Sequence, residues 1–491
     1  MNPLKKLFKQ TFVYGLATVL PRMLSFILVP LYTSVMAPGL YGKVSVIFAW
    51  FAIFNVVLAY GMETAFFRFY SKSNEKNTVV STSLISIVIT TAVFVCIAFL
   101  FFGSLSQFLE IDKKYLGYVI SILALDAIVV IPFAWLRANE KPMKYAIIKI
   151  LNVGINLGLN VLFLLLLPML FNENPDGILS NLYKSNFQIS YIFISNVIAS
   201  GITFLLMSEL YRKTKWVFDK VLWNSMMKYA MPVMVAGIAF SINEVFDRVL
   251  LEKLLPEDVS ETKVGMYSAC YKIALFMTLF ATAFRMGIEP FFFSHSTSEN
   301  PQKAYAQITN YFVVLGSVIL LSVVVYADVL KTIIVRDPAY WEAMSIVPII
   351  VLASFFLGIY HNLSVWYKVT DRTKFGAYIS IIGAILTIVI NIVFIKYFEY
   401  MASAVATLVA YGTMMFLSFY FGRKYYPIPY NFRKIGFYLA LSISFSAIAF
   451  YGFNRNLIVG NILLAIFLVL LYKLENDNLR KVFLKNGNKN N

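Results

Sequence analysis

The chain has 491 residues, of which 60% are hydrophobic and only 14% charged, and its mean hydropathy is +0.74. Soluble domains are about 25% charged, so this chain lacks the polar residues to cover a globule of its size and must meet lipid. A net charge of +17 could serve nucleic acid or an anionic surface, yet roughly 28 Lys and Arg fall in one set of alternating loops and the termini, against about 10 in the other set. That asymmetry is a topology signal: it places both termini in the cytoplasm and leaves nothing for a nucleic-acid role to explain. The apolar runs are continuous rather than alternating, which selects helices over a barrel. The expected fold is an all-α polytopic membrane protein with about fourteen spans of roughly 20 apolar residues.

The first span, 11–35, follows Lys5, Lys6 and Lys9 in the manner of a signal peptide. Its apolar run is too long for one, and another span follows at once, so it is expected to be an uncleaved helix. Spans at 44–67, 79–102, 115–136, 146–171 and 189–210 complete a first group of six. A basic connector, 211–228, leads to 229–251, 265–291, 305–326, 344–367, 377–397 and 402–421. A second linker, 422–434, precedes a closing pair at 435–452 and 457–472. From Lys473 the tail is polar and Asn/Lys-rich, a composition that favours disorder. The expected organisation is a six-helix bundle over 1–215, a second over 216–421, and two further helices with a cytoplasmic tail over 422–491. The longest outer loop, 172–188, is too small to be a folded domain. This argues against membrane enzymes that build glycans outside the cell.

A weak repeat supports the two bundles. Gly61-Met-Glu-Thr-Ala-Phe-Phe resembles Gly287-Ile-Glu-Pro-Phe-Phe-Phe, and each motif closes a span that has a glycine near its start, Gly42 and Gly265. Repeats of this kind are common in secondary transporters, whose sites lie near the midplane at the repeat interface.

The polar residues inside the spans carry the functional signal. Glu244, Asp247 and Arg248 stand well inside a run that is otherwise mostly apolar from 230 to 255. A charge at the bilayer centre costs about 2.5–3.5 kcal/mol on insertion scales, so three together require partners or a watery path. Steps of three and four put Lys149, Asn152, Asn156 and Asn160 on one face of span five. Tyr14, Thr18, Arg22 and Ser25 share a face of span one in the same way. Span eight aligns Thr278, Thr282, Arg285 and Glu289, with Lys272 nearer its outer end, and Asp126 stands in the apolar span four.

Polar contacts between membrane helices are common and worth about 0.6 kcal/mol on average. Gluing helices would not require as many cations as Arg22, Lys149, Arg248, Lys272 and Arg285, drawn from both halves. Such a set suits an anionic ligand, most simply a phosphate, for which Arg offers a bidentate fork. Glu63, Asp126, Glu244, Asp247 and Glu289 have two readings, coupling to an ion or proton or balancing the cations, and the sequence leaves both open.

No G-x-x-x-x-G-K-[ST] phosphate loop, H-E-x-x-H or paired-carboxylate arrangement stands out. Cys96, Cys270, His295 and His361 form no disulfide framework and no metal spacing. The chain therefore reads as a conduit without a metal or cofactor, rather than an enzyme.

A family resemblance runs through the same residues. It includes Leu40-Tyr41-Gly42, Gly61 with Ala65 and Arg68-Phe69-Tyr70, Asp247-Arg248, Val264-Gly265-Met266-Tyr267-Ser268 and Glu289-Pro290-Phe291. Thr373-Lys374, Asn391 and Ala402-Ser403-Ala404 complete it. In their order and spacing these motifs resemble the Wzx-type polysaccharide flippases of the multidrug/oligosaccharidyl-lipid/polysaccharide exporter superfamily. The resemblance implies two six-helix bundles and two extra helices that open alternately to each side of the membrane. The implied substrate is an undecaprenyl-pyrophosphate-linked oligosaccharide for O-antigen, capsule or exopolysaccharide, moved to the outer leaflet of the bacterial cytoplasmic membrane. Membrane lipids, a polysaccharide polymerase and a chain-length regulator are the implied partners.

One departure stands out: a Gly-rich turn frequent in the family between spans eleven and twelve is here Phe398-Glu399-Tyr400-Met401, without glycine. That places close helix packing at this turn in question. A lipid II flippase shares the architecture. A drug/cation antiporter should have an acidic or apolar cavity, and a membrane glycan polymerase or ligase should have a larger outer loop.

Overall fold

The computed structural model describes residues 26–177, 183–294 and 299–484. Arg22 and most of the expected first span lie outside the described residues. The chain is a multi-pass membrane protein; among the described residues it is helical with no strand, and twelve of the helices there are long and apolar enough to cross a membrane. In chain order they follow a shorter apolar helix, α1 (Phe26–Val35). They begin with α2 (Pro38–Lys72), α3 (Lys76–Leu100), α4 (Lys113–Ala138), α5 (Pro142–Glu173) and α6 (Gln188–Lys213). After the connector come α7 (Lys220–Leu254), α8 (Glu257–Glu289), α9 (Pro301–Val325), α10 (Pro338–Val369) and α11 (Lys374–Tyr425). The chain closes with α12 (Phe432–Gly452) and α13 (Leu457–Leu484).

Local chemistry sets the helix starts. Proline opens α2, α5, α9 and α10, where its missing N–H would have had no helical partner. The Asp219 side chain caps α7 by accepting from the backbone N–H groups of Val221 and Leu222 at 2.8 and 2.9 Å.

Helix α6 packs on α4 and α5, while α10 packs on α8, α9 and α11. The closing helices α12 and α13 lie against α9. Helix α7 belongs to both groups. Its early residues Met226 and Ala230 share a core with Phe66 and Val79 of α2 and α3. Beyond Pro232, Asn243 Nδ2 donates to the Ser380 carbonyl of α11 at 3.0 Å, and Thr387 of α11 donates to Asn243 Oδ1 at 3.1 Å. Helix α2 bends at Tyr60 and Gly61, both in left-handed backbone (φ 32° and 71°). The Gly61 backbone lies so close to α7 that a Cβ there would meet the Ala230 carbonyl oxygen at 2.4 Å.

The two spans expected at 377–397 and 402–421 are joined in the 52-residue α11, broken at Glu399. At a rise of about 1.5 Å per residue a straight helix of that length would overshoot the roughly 30 Å hydrocarbon core more than twofold. The break folds it back on itself: Ser403 Oγ donates to Asn391 Oδ1 at 2.6 Å, and the Gly383 backbone faces Met414. Close packing survives the loss of the turn glycines, since Ala402, Ser403 and Ala404 are all buried.

Glu399 meets the requirement at a cost. It takes φ 47° and ψ −133°, a conformation that strains a non-glycine residue by about 1–3 kcal/mol. Its carboxylate pairs with Lys263 at 2.8 Å while 42% exposed, and such pairs are worth about 0–1 kcal/mol. Glu399→Gly should therefore stabilise the protein by roughly 1 kcal/mol, read as a higher thermal midpoint in detergent. A lower midpoint would show the ion pair to outweigh the backbone strain.

Candidate functional site

A cavity of about 510 Å³ lies between the two helix groups, with walls from α1, α2, α5, α6, α7, α8, α10 and α11. Arg248 of α7 and Lys272 of α8 supply its cations, Glu244 of α7 a carboxylate, and Asn152, Asn156 and Asn196 a wall of amides. Tyr32, Tyr41, Tyr271 and Tyr411 complete an aromatic lining.

The two cations are held differently. Arg248 Nη1 donates to Asp247 Oδ1 at 2.9 Å and to the Glu244 carbonyl at 3.1 Å. Its guanidinium lies 4.6 Å from the Tyr271 ring centroid. Asp247, 2% exposed, also accepts from the Arg248 backbone N–H at 2.8 Å and from the Tyr267 hydroxyl at 2.5 Å. Asp247 is thus a fixed counter-charge that aims the guanidinium at the cavity. Lys272 sits on a 3₁₀ turn, Lys272–Ala274, that interrupts α8; such turns within a helix often mark a functional hinge. Among the described residues neither its ammonium nor the Glu244 carboxylate has a hydrogen-bond or ion-pair partner.

The remaining candidates fall into separate groups. Asn152 donates to Thr203 at 2.9 Å, Asn156 to Asn196 at 2.7 Å, and Asn160 to Asn156 Oδ1 at 2.6 Å. Tyr32 of α1 closes this ladder with a 3.0 Å bond to Asn160 Oδ1. Lys149 is not at the cavity wall; its ammonium stands 4.1 Å over the Phe133 ring. Asp126 accepts from Ser200 Oγ at 2.8 Å, and Glu63 pairs with Arg137 of α4. Arg285 and Glu289 belong to a second ladder, between α8 and α10. Thr278 meets Ser354 at 3.4 Å, Arg285 Nη1 meets His361 Nε2 at 3.4 Å, and Lys368 donates to Glu289 at 2.5 Å.

One end of the cavity is shut where α2 and α8 begin. A Cβ on Gly42 would lie 2.0 Å from the Glu261 carbonyl oxygen, and one on Gly265 would lie 1.8 Å from that of Pro38. Lys43 pairs with Glu261 at 3.0 Å, Lys253 with Glu110 at 3.0 Å, and the Tyr340 hydroxyl donates to the Met36 carbonyl at 2.8 Å.

Residues 7–294, more than half of the chain, match the polysaccharide biosynthesis protein family. The chain belongs to that family. Residues 232–393 also match the MatE family. No curated protein matches the sequence. Among solved structures, a lipid II flippase, MurJ, in an inward closed conformation aligns with a TM-score of 0.74 at 14% identity, over 94% of this chain and 99% of its own. An inward-facing multidrug resistance MATE family transporter of the MOP superfamily aligns at 0.65 and 12% identity, over 88% and 96%. A MOP superfamily transporter from Pyrococcus furiosus, described as having a binding pocket of reverse polarity, aligns at 0.60 and 12%, over 85% and 95%. At such identities the likeness is one of fold, that of the MOP-superfamily transporters.

In this family member charge and spacing did not single out Tyr32, Tyr271 and Tyr411 of the cavity, nor Asn196, Ser354 and Lys368; Tyr41 entered only through a family motif and His361 only as a lone histidine. Ser354, His361 and Lys368 recur every seven residues, a stripe that was visible along α10. The tyrosines gave no comparable signal in a chain that is 17% aromatic.

Proposed function

We propose that this protein is a flippase that carries an undecaprenyl-pyrophosphate-linked oligosaccharide across the bacterial cytoplasmic membrane for surface polysaccharide synthesis. The observation that carries the reading is the cavity between the two helix groups, where Arg248 and Lys272 face a wall of asparagines and tyrosines. Arg248 and Lys272 suit the pyrophosphate, and amides with aromatic rings suit sugar hydroxyls and sugar faces. The isoprenoid tail stays in lipid. In this reading units 1–215 and 216–421 rock against one another, and 422–491 rides on the second. The positive-inside asymmetry puts the shut end, at Gly42 and Gly265, on the outer side. A polymerase and a chain-length regulator would take the product there.

Deletion of the gene should abolish a surface polysaccharide and leave its lipid-linked unit on the cytoplasmic face. Arrival of that unit in the outer leaflet at the normal rate, with no paralogue active, would sink the reading. The fold shared with MurJ favours lipid II as a second reading. Rescue of a strain depleted of its lipid II flippase would select it. A drug/cation antiporter is disfavoured by the charges among the described wall residues, two cations against the one carboxylate of Glu244.

A further inference from the structure

A second charged site lies inside the first helix group, apart from the cavity wall. Asp126 of α4 has a neutral partner, the Ser200 hydroxyl of α6 at 2.8 Å. Lys149 of α5 is near enough to act on Asp126 electrostatically, yet no ion pair joins them, and its ammonium rests over Phe133 at 4.1 Å instead. The other charged or titratable groups nearby are engaged elsewhere. Tyr211 of α6 donates to the Ile128 carbonyl at 2.6 Å. Arg137, further along α4, pairs with Glu63 of α2 and lies over the rings of Phe67 and Tyr145.

We propose that Asp126 is a proton-binding site of the transport cycle and Lys149 the cation that answers it; this rests on the transporter reading above. A proton adds to a carboxylate oxygen of Asp126 and leaves from it, and no other bond changes. When Asp126 is ionised it draws the Lys149 ammonium into a direct ion pair. When it is protonated, that ammonium returns to Phe133.

The other candidate carboxylates are less free to do this. Asp247 is committed to Arg248 and Tyr267, Glu289 to Lys368, and Glu63 to Arg137. Glu244 lies in the cavity itself. A carboxylate held by a neutral hydroxyl, with its cation one step away, can exchange a proton by moving that cation rather than by losing a committed ion pair. The motion has a route to the cavity. Lys149 shares a face of α5 with Asn152 and Asn156 at steps of three and four. Asn152 is tied to Thr203 on the same stripe of α6 as Ser200.

The test needs no glycan, so its failure is separate from failure of the substrate reading. In full-length protein freed of Cys96 and Cys270, a cysteine at the cavity wall (Ser45→Cys) is labelled with a thiol reagent between pH 5 and 8 in proteoliposomes. After correction for the reagent's own thiolate dependence, labelling should change several-fold across one proton's titration. Asp126→Asn should flatten that profile. The neutral pair Asp126→Asn with Lys149→Met should flatten it too and guards against misfolding from an uncompensated lysine. Ser200→Ala, a mild change, should move the midpoint by about half a pH unit or more. A pH-independent parent, an unaltered profile in either Asp126 variant, an unmoved midpoint in Ser200→Ala, or a profile flattened by Glu244→Gln instead would each overturn the proposal.

Discussion

Replacing Arg248 by alanine should stop transport and also destabilise the protein, whereas Lys272→Ala should slow transport and leave stability nearly unchanged. The difference follows from what each cation touches. Arg248 is 7% exposed and ion-paired to Asp247, itself 2% exposed. Removing one partner of a buried pair leaves an uncompensated charge and costs about 3–5 kcal/mol. Lys272 has no such partner among the described residues, so its truncation removes only what it gives the substrate. A charge-assisted hydrogen bond is worth about 1.5–3 kcal/mol, which puts the slowing at roughly 10- to 100-fold. The double variant Asp247→Asn with Arg248→Ala removes both buried charges. It should recover much of the lost stability while remaining inactive. Thermal unfolding in detergent and flipping of the lipid-linked unit in proteoliposomes separate the two effects. Normal transport by Lys272→Ala would remove Lys272 from the site and leave Arg248 as the only described cation at the cavity wall.

Much of this architecture is legible in the sequence because lipid imposes a simple rule: a long apolar run must be a helix. Periodicity then places residues on a face, as with Asn152, Asn156 and Asn160: the first bonds to Thr203 and the second to Asn196 of α6, while the third bonds to Asn156. It does not say which helix that face meets. Asn160 meets Tyr32, 128 residues away, and Arg285 meets His361, 76 residues away. Lys149 shows the same limit from the other side. Its place on the asparagine face is a matter of spacing, but its long stem carries the ammonium to Phe133 and toward Asp126. The turn at Glu399 was hidden for a different reason. A positive φ announces itself through glycine, and here the chain adopts one without it.

The latch between α2 and α8 gives the sharpest conformational test. Gly265→Leu should arrest the protein with this end parted and abolish transport. A Cβ at Gly265 would stand 1.8 Å from the Pro38 carbonyl oxygen, against about 3.5–4.0 Å for ordinary contact. The obstacle is backbone, so no side chain can swing aside, and the reciprocal clash at Gly42 makes that position a second test of the same contact. Tyr41 and Val44 of α2 share one continuous core with Val264 and Tyr267 of α8, so parting the two helices also exposes apolar surface. The ion pair beside the crossing is a weaker fastening. Lys43 and Glu261 are 36% and 41% exposed, and pairs so exposed contribute about 0–1 kcal/mol. Lys43→Ala should accordingly leave transport within a few-fold of normal. A cysteine at Ser45, just inside the crossing, should react faster with an impermeant thiol reagent added outside in Gly265→Leu than in the parent. Unchanged labelling would mean that the crossing takes up the leucine without parting; faster labelling with normal transport would mean that α2 and α8 need not touch for the cycle to run, and closure of this end would have to be sought at Tyr340 and the α1–α2 corner.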